Sequence, residues 1–452
     1  MRKVDVVVVG GGASGLQAAI TTKSNYPEKE VVLIRKEAQV LIPCGIPYLF
    51  GTLSDSSKNI LPDKLLTNVG VEIIIDEVSD IAVEDKALHT ASGETFQYEK
   101  LILALGSIPT LPSWLKGAEL ENVFTIPKNK IYLDDMLSKL ATAKRVVVIG
   151  AGFIGVEVSD ELNKNDYEVT LVEIEKTILS KAFDEEFGKI AEEHLIERGL
   201  NLITGKGVAE IKGKDGKVTQ VILTTGEAME ADAVILSMGY VPNTKIAVDA
   251  GLKLNEFGFI RTCEYMRVLP CSTGIIAVGD CAEKTDFITR KIDRTMLAST
   301  ACAEARTAGM NLYTLSPCKS FTGTIAIYAT AFGEHAFGTA GITETKAIQE
   351  NFSIISGSFT GVDTHPGNLS HSHKQTVKLI VAADCGMILG GEVYGGYSTG
   401  ELTNAIGFLI QNRVPVKALL TMQIGTQPLL TGSPAGYPLI KAAEIIVKKM
   451  RK

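Results

Sequence analysis

The chain has 452 residues, 45% of them apolar, and a formal charge of −7 with its 45 Lys and Arg spread along the sequence. That length predicts two to four domains with ample core, and no basic footprint offers itself to a nucleic-acid backbone or an anionic membrane. No run of about eighteen apolar residues predicts a spanning helix, and seven cysteines without a C-x-x-C argue for a reducing cytoplasm rather than a disulfide framework.

Met1-Arg2-Lys3 leads into DVVVVGGGASGLQAA (Asp5 to Ala19), an apolar run too short, too β-branched and too glycine-cut for a secretory leader, so it reads as a first strand. Gly10, Gly12 and Gly15 complete G-x-G-x-x-G. The first glycine permits a tight turn, the second lets backbone approach a pyrophosphate, and the third lets helix and strand pack. The next strand, VVLIRKE, places Arg35 where a carboxylate would be expected to accept ribose hydroxyls. Arg35 suits an adenine or a phosphate instead, with Lys36 beside it.

VLIPCGIPYLFG (Val40 to Gly51) sets Cys44 between Pro43 and Pro47, which fix φ on either side, with Gly45 allowing close backbone approach. A thiol held so firmly without a cysteine neighbour is either a packing residue or half of a redox pair whose other half is not protein. A short helix opening at YLFGT would bring amides near the sulfur and lower its pKa. The other six cysteines, Cys263, Cys271, Cys281, Cys302, Cys318 and Cys385, are expected as small buried apolar residues.

The first unit closes at LILALGSIP with Gly106, and the pattern then repeats. RVVVIGAGFIGVEVS (Arg145 to Ser159) carries Gly150, Gly152 and Gly155, and a second strand, VTLVEIE, ends in Glu173. A carboxylate there accepts both ribose hydroxyls and repels a 2′-phosphate, which predicts NADH over NADPH. This unit closes at AVILSMGYVP with Gly239. One glycine motif is a weak signal; two in the same strand-turn-helix context are strong. Downstream, TGIIAVGDCAE ends a buried strand at Gly279-Asp280, placing a carboxylate where it can bond a polyhydroxylated chain or cap the next helix. The order implies that the chain returns to the first unit, with the second inserted.

HPGNLSHSH gathers His365, His371 and His373; its Pro-Gly turn leading into QTVKLIVAA suits a hairpin at a dimer interface better than a metal site, and no metal is expected. GEVYGGYSTGELTNAIGFLIQN reads as strand, loop and amphipathic helix.

Together these motifs resemble the FAD-dependent pyridine nucleotide-disulfide oxidoreductases over essentially the whole chain, and CGIPY is similar to their single-cysteine branch of coenzyme A-disulfide reductases, persulfide reductases and NADH oxidases. The resemblance implies an α/β fold of two Rossmann-like domains, the second inserted in the first, with an α+β dimerisation domain. The expected spans are 1–111 and 244–320 for FAD, 112–243 for NAD and 321–452 for dimerisation. It further implies Cys44 beside the flavin ring and Asp280 on the ribityl chain, with Ala13, Ser14, Ala104, Leu297 and Ala298 around FAD. A helix over 295–309 would aim its N-terminus at the flavin.

Phe153, Ile154 and Glu157 fall on the nicotinamide side, Phe153 as an aromatic cover and Glu157 toward the carboxamide. Tyr48, or Tyr437 of a partner copy, is implied as proton donor to the leaving thiol. Three departures matter. Ala13 stands where peroxidase and oxidase members carry histidine, and Gln427 where glutathione-reductase-like members carry theirs. The arginines offered to coenzyme A phosphates are represented only by Lys23. Three functions remain open: an NADH-dependent reductase of a small disulfide, persulfide or polysulfide; an NADH oxidase; and a flavoprotein acting on a protein carrier or sensing redox state.

Overall fold

The computed structural model describes residues 1–316 and 319–451; Cys318 lies outside them. Two sheets carry the repeated nucleotide units. In the first, strand Arg2–Val9 lies parallel between Val31–Arg35 and Thr95–Leu103, and Glu72–Ile75 extends the sheet beyond Val31–Arg35. Val6, Val7 and Val8 are fully buried. The inner half of this strand, Val6 to Val9, is a continuous apolar run rather than an alternating one, as a strand buried on both faces requires, while Arg2, Lys3 and Asp5 stay at least partly exposed at its start. Strand Ile275–Ala277 pairs in parallel with Thr95–Leu103, so the chain does return to the first sheet after completing the second.

The second sheet is wholly parallel. Arg145–Ile149 sits between Glu168–Val172 and Ala233–Leu236, with Asn201–Ile203 and Val123–Thr125 at the edges. The chain leaves the first sheet through Ser107–Pro109 and re-enters through Tyr240–Pro242. These two crossings pair antiparallel, Ile108 opposite Val241.

A third, antiparallel sheet has the order Tyr328–Phe332, His335–Gly341, Ile388–Gly395, Lys374–Ala382, Ile354–Val362. Helices Thr399–Gln411 and Pro438–Lys449 close it over a core that includes Val377, Leu379, Ile406 and Ile446. The histidine-rich stretch forms the connection of the Ile354–Val362 and Lys374–Ala382 hairpin, as its turn residues predict.

Two expectations fail here. The helix expected from 295 begins at Ala298, because Asp293 accepts a hydrogen bond from the Thr295 amide and keeps the preceding segment extended. Of the cysteines expected to be buried, Cys281 is, Cys263 and Cys302 are half-buried, and Cys271 and Cys385 are exposed. The last two sit in turns, whose side chains face solvent whatever their hydropathy. No helix among the described residues is long and apolar enough to cross a membrane.

Candidate active site

The two glycine loops repeat one geometry. Gly10 and Gly150 have φ of +110° and +100°, and a Cβ on either would lie 2.2 Å from the Ala104 carbonyl oxygen or 2.5 Å from that of Ser237. A Cβ on Gly15 or Gly155 would meet the carbonyl oxygen of Gly10 or Gly150 at 1.9 Å, so these glycines let helix press on loop. Gly12 and Gly152 meet nothing within 4 Å. Backbone is therefore open to a ligand at the second glycine of each loop, as a pyrophosphate requires.

A cavity of about 1350 Å³ runs past both loops, which is larger than a single small-molecule pocket and of a size for two dinucleotides meeting end to end. Its wall includes Gly10, Gly12, Ala13, Ser14, Cys44, Tyr48, Ala104 and Gly106 from the first unit, and Gly150, Gly152, Phe153, Ile154, Glu157, Glu173 and Gly239 from the second. Asp280, Leu297 and Ala298 complete it. Gly15, Gly155 and Gly279, expected with the cofactor contacts, lie behind the wall.

Arg35 and Lys36 are also absent from this wall. Arg35 is buried, packs against Gly11 and forms a two-pronged ion pair with Asp63 at 2.6 and 2.8 Å, while Lys36 pairs with Glu77 on the surface. The carboxylate that reaches the cavity from this strand end is Glu37, two residues on. A count from the strand to a single position could not distinguish the two.

Cys44 lies in a 3-10 turn, Pro43–Gly45, and the short helix expected after it is present as a single 3-10 turn, Pro47–Phe50. Asn59 clamps the turn by donating to the Ile42 carbonyl at 2.9 Å, and a Cβ on Gly45 would strike its side chain at 2.0 Å. The second unit holds the far end of the loop: buried Glu161 accepts from the Thr52 amide and hydroxyl, and Asn165 donates to the Phe50 carbonyl. Cys44 is thus fixed between both nucleotide units.

The low thiol pKa expected from a helix is not found in the protein's own field. The Cys44 sulfur is solvent-accessible but walled in, and this desolvation, with Glu157 next, pushes its pKa up; Lys128 opposes them. Tyr48 is raised to about 12 by burial and by Glu157 and Glu161. Glu157 itself is raised to about 7 by burial, against the bond it accepts from the Thr330 hydroxyl at 2.8 Å.

Asp280 accepts from the Ser107 hydroxyl at 2.7 Å and from the Lys128 ammonium at 2.6 Å, and these partners hold its carboxyl below the usual range despite burial. Lys128 also lies 5.5 Å from the centre of the Tyr240 ring. Glu173 accepts from the Ala151 and Glu175 amides, which orients it across the second glycine loop. Phe153 stacks on Tyr328 with ring centres 4.9 Å apart and planes 8° from parallel. Lys128, Tyr328 and Thr330 carried no sequence signal, since each comes from a segment without a motif and meets the site only through the fold.

Tyr437 is half-buried beside a separate cavity of about 200 Å³ with Asp363, Gln375 and Glu401, apart from Cys44 of its own chain. His365 bonds the Thr431 carbonyl and His373 the Asp363 carboxylate. Among the described residues no group of three His, Cys, Asp or Glu converges as on a metal. The Lys23 ammonium is taken by the carbonyls of Pro27 and Lys29.

Residues 4–305 match the family model described as pyridine nucleotide-disulphide oxidoreductase, and residues 327–435 that of its dimerisation domain. The chain belongs to this family. It is a pyridine-nucleotide-dependent flavoprotein oxidoreductase, and the family binds FAD and NAD(P)H. An NADH oxidase of Enterococcus faecalis is 29% identical over 434 residues, 94% of this chain and 95% of that one. An NAD(P)H sulfur oxidoreductase (CoA-dependent) of Pyrococcus abyssi is 28% identical over 98% of each chain. Among solved structures, the NAD-dependent persulfide reductase of A. fulgidus is 27% identical with a TM-score of 0.89, covering 99% of this chain and 84% of that one. The reduced Bacillus anthracis CoADR-RHD is 25% identical with a TM-score of 0.91, over 100% and 81%. Sulfur and persulfide reductases and NADH oxidases thus both stand among the relatives of this family member.

Proposed function

We propose that the chain is an NADH-dependent reductase of a small disulfide, persulfide or polysulfide that works through Cys44 alone. The observation that carries this reading is that Cys44 is the only cysteine among the described residues lining the cavity, so the second sulfur has to come from the substrate. Bound FAD supplies the relay of an electron pair from nicotinamide to the sulfur centre.

The chain's own residues do the rest. Gly10 and Gly12 admit one pyrophosphate and Gly150 and Gly152 the other, with Asp280 on the ribityl chain and Glu173 on the adenosine ribose of NADH. Lys128 offsets negative charge at the Cys44 sulfur. Tyr48, at about 12, remains protonated at neutral pH. Handing its proton to a thiolate of ordinary pKa, about 8.5, is uphill by several kcal/mol, so Tyr48 orients the leaving sulfur as a hydrogen-bond donor. Glu157, near 7, can hold or release a proton.

Coenzyme A is a candidate small thiol from the wording of the Pyrococcus name, but Lys23 is not free to meet its phosphates. We assign the spans 1–111 with 244–320, 112–243 and 321–452 to FAD, NAD and dimerisation. The working form is a homodimer, with Tyr397, Phe408 and Leu430, 72%, 63% and 71% exposed, on the third unit. There Tyr437 of a partner copy would complete the Cys44 site. A reducing cytoplasm suits a resting thiol at Cys44.

The test is anaerobic NADH consumption with polysulfide, coenzyme A disulfide or no acceptor, for the protein and Cys44→Ser. Acceptor-dependent turnover lost in the variant supports a thiol-based reductase. Turnover only in air, retained in the variant, overturns it in favour of an oxidase.

A further inference from the structure

Behind the cavity wall, Lys284 and Glu304 form an ion pair in which both side chains are 0% exposed, with an ammonium to carboxylate distance of 3.0 Å. Neither residue lines the cavity. Lys284 donates to the carbonyls of Gly279 at 2.6 Å and Ala282 at 2.8 Å as well as to Glu304, which uses all three of its protons. Glu304, in the helix Ala298–Met310, accepts from the Gly279 amide at 2.8 Å. Both backbone polar groups of Gly279 are therefore held by one buried pair. Gly279 has φ of +76°, and a Cβ there would strike Ser14 at 2.4 Å, so the turn fits tightly against the first glycine loop.

A buried ion pair is a weak source of stability, since replacing both partners by well-packed apolar residues is often neutral or stabilising. What this pair does supply is direction. The residue following the clamped glycine is Asp280, whose carboxylate faces the cavity.

We propose that Lys284 and Glu304 are positioning residues for FAD: by gripping Gly279 from both sides they fix where Asp280 presents its carboxylate. The inference rests on the reading that Asp280 contacts bound FAD. It predicts that the clamp is dispensable for folding and needed for flavin retention. It also predicts that the clamp and Asp280 act through one and the same contact.

The experiment uses purified holoenzyme and measures FAD dissociation after dilution, from the recovery of flavin fluorescence, together with thermal unfolding by circular dichroism. The variants are Lys284→Met with Glu304→Leu, Glu304→Gln, Asp280→Ala, and the clamp pair combined with Asp280→Ala. The clamp variant should stay folded, its unfolding temperature falling by no more than its weaker FAD binding accounts for, yet release FAD at least tenfold faster, and combining it with Asp280→Ala should give release no faster than Asp280→Ala alone. Glu304→Gln keeps an oxygen for the Gly279 amide and should fall between parent and clamp variant. Should the clamp variant not fold, Glu304→Gln carries the test, with at least threefold faster release expected. Release within twofold of the parent in the folded variants, or losses that multiply with Asp280→Ala, would overturn the proposal. Parent-like release by Asp280→Ala overturns the reading of Asp280 instead, and fast release by the clamp variant beside it would show that the clamp acts by another route.

Discussion

The Lys128 ammonium lies 2.6 Å from the Asp280 carboxylate, joining a side chain that follows the first crossing to one that follows the last strand of the first sheet. Lys128 is also the cation opposing the upward push on the Cys44 thiol. Lys128→Met should therefore raise the thiol pKa and slow alkylation of Cys44 at pH 7.5 by about two- to tenfold, the range set by a shift of up to about one unit. Lys128→Arg should retain most of the rate. Quantifying the Cys44 peptide by mass spectrometry separates it from exposed Cys271 and Cys385. Equal rates in the Met variant would mean that Asp280 cancels the field of Lys128 at the sulfur.

The Phe153 and Tyr328 rings hold one another in a near-parallel stack, a contact of about 0.5–1.5 kcal/mol beyond area burial. If Phe153 has to leave this stack to admit nicotinamide, Tyr328→Leu removes that cost and should tighten NADH binding by about two- to tenfold. Tyr328→Phe, which keeps the ring, should bind as the parent does. Weaker binding by the Leu variant in a fluorescence titration would show instead that the stack persists in the complex.

Glu157 predicts a pH effect with a definite sign. Its folded pKa is raised from 4.5 to about 7, so the folded state keeps a proton that the unfolded chain has already lost. Its contribution to stability is present below about 4.5 and is lost as pH rises through about 7. Glu157→Gln cannot ionise, so its unfolding free energy should gain on the parent by on the order of 3 kcal/mol between pH 4.5 and 8. Denaturant midpoints across that range, at constant m, read the difference directly. A gap that does not change with pH would mean an ordinary carboxyl.

The glycine loops predict a separation of folding from binding. Gly12→Ala adds a methyl in open space and should leave secondary structure and melting temperature intact while costing tenfold or more in FAD retention. Gly15→Ala places the same methyl 1.9 Å from the Gly10 carbonyl oxygen, which nothing nearby can relieve. It should lower stability by several kcal/mol, the range of an overpacked core site. A melting curve and a flavin spectrum of each variant suffice, and equal behaviour of the two would refute the distinction.

The legible part of the molecule was the part built from repeats. Val6 to Gly15 and Val146 to Gly155 announce strand, turn and helix because backbone geometry dictates residue type at each step, and the GD pair after Ile276 announces the return to the first sheet. Cys44 stood out through its prolines. What could not be read was anything decided by packing between distant segments. Arg35 turns inward because Asp63 meets it, leaving the cavity to Glu37. The Cys44 thiol is pushed up because residues distant in sequence, Glu157 among them, close around it. Lys128, Tyr328 and Glu304 belong to segments whose local pattern says only loop, strand or helix.

The paired crossings at Ser107–Pro109 and Tyr240–Pro242 carry a mechanical meaning. Two single strands joining two bodies would let them twist and slide. A hydrogen-bonded ribbon with Ile108 opposite Val241 resists torsion and shear and yields most readily by bending across its own plane. Because Ser107 also bonds Asp280, flexing at this strap bears on the carboxylate on one side, while the bonds of Thr52 to Glu161 fasten the far end of the Cys44 loop to the second unit on the other.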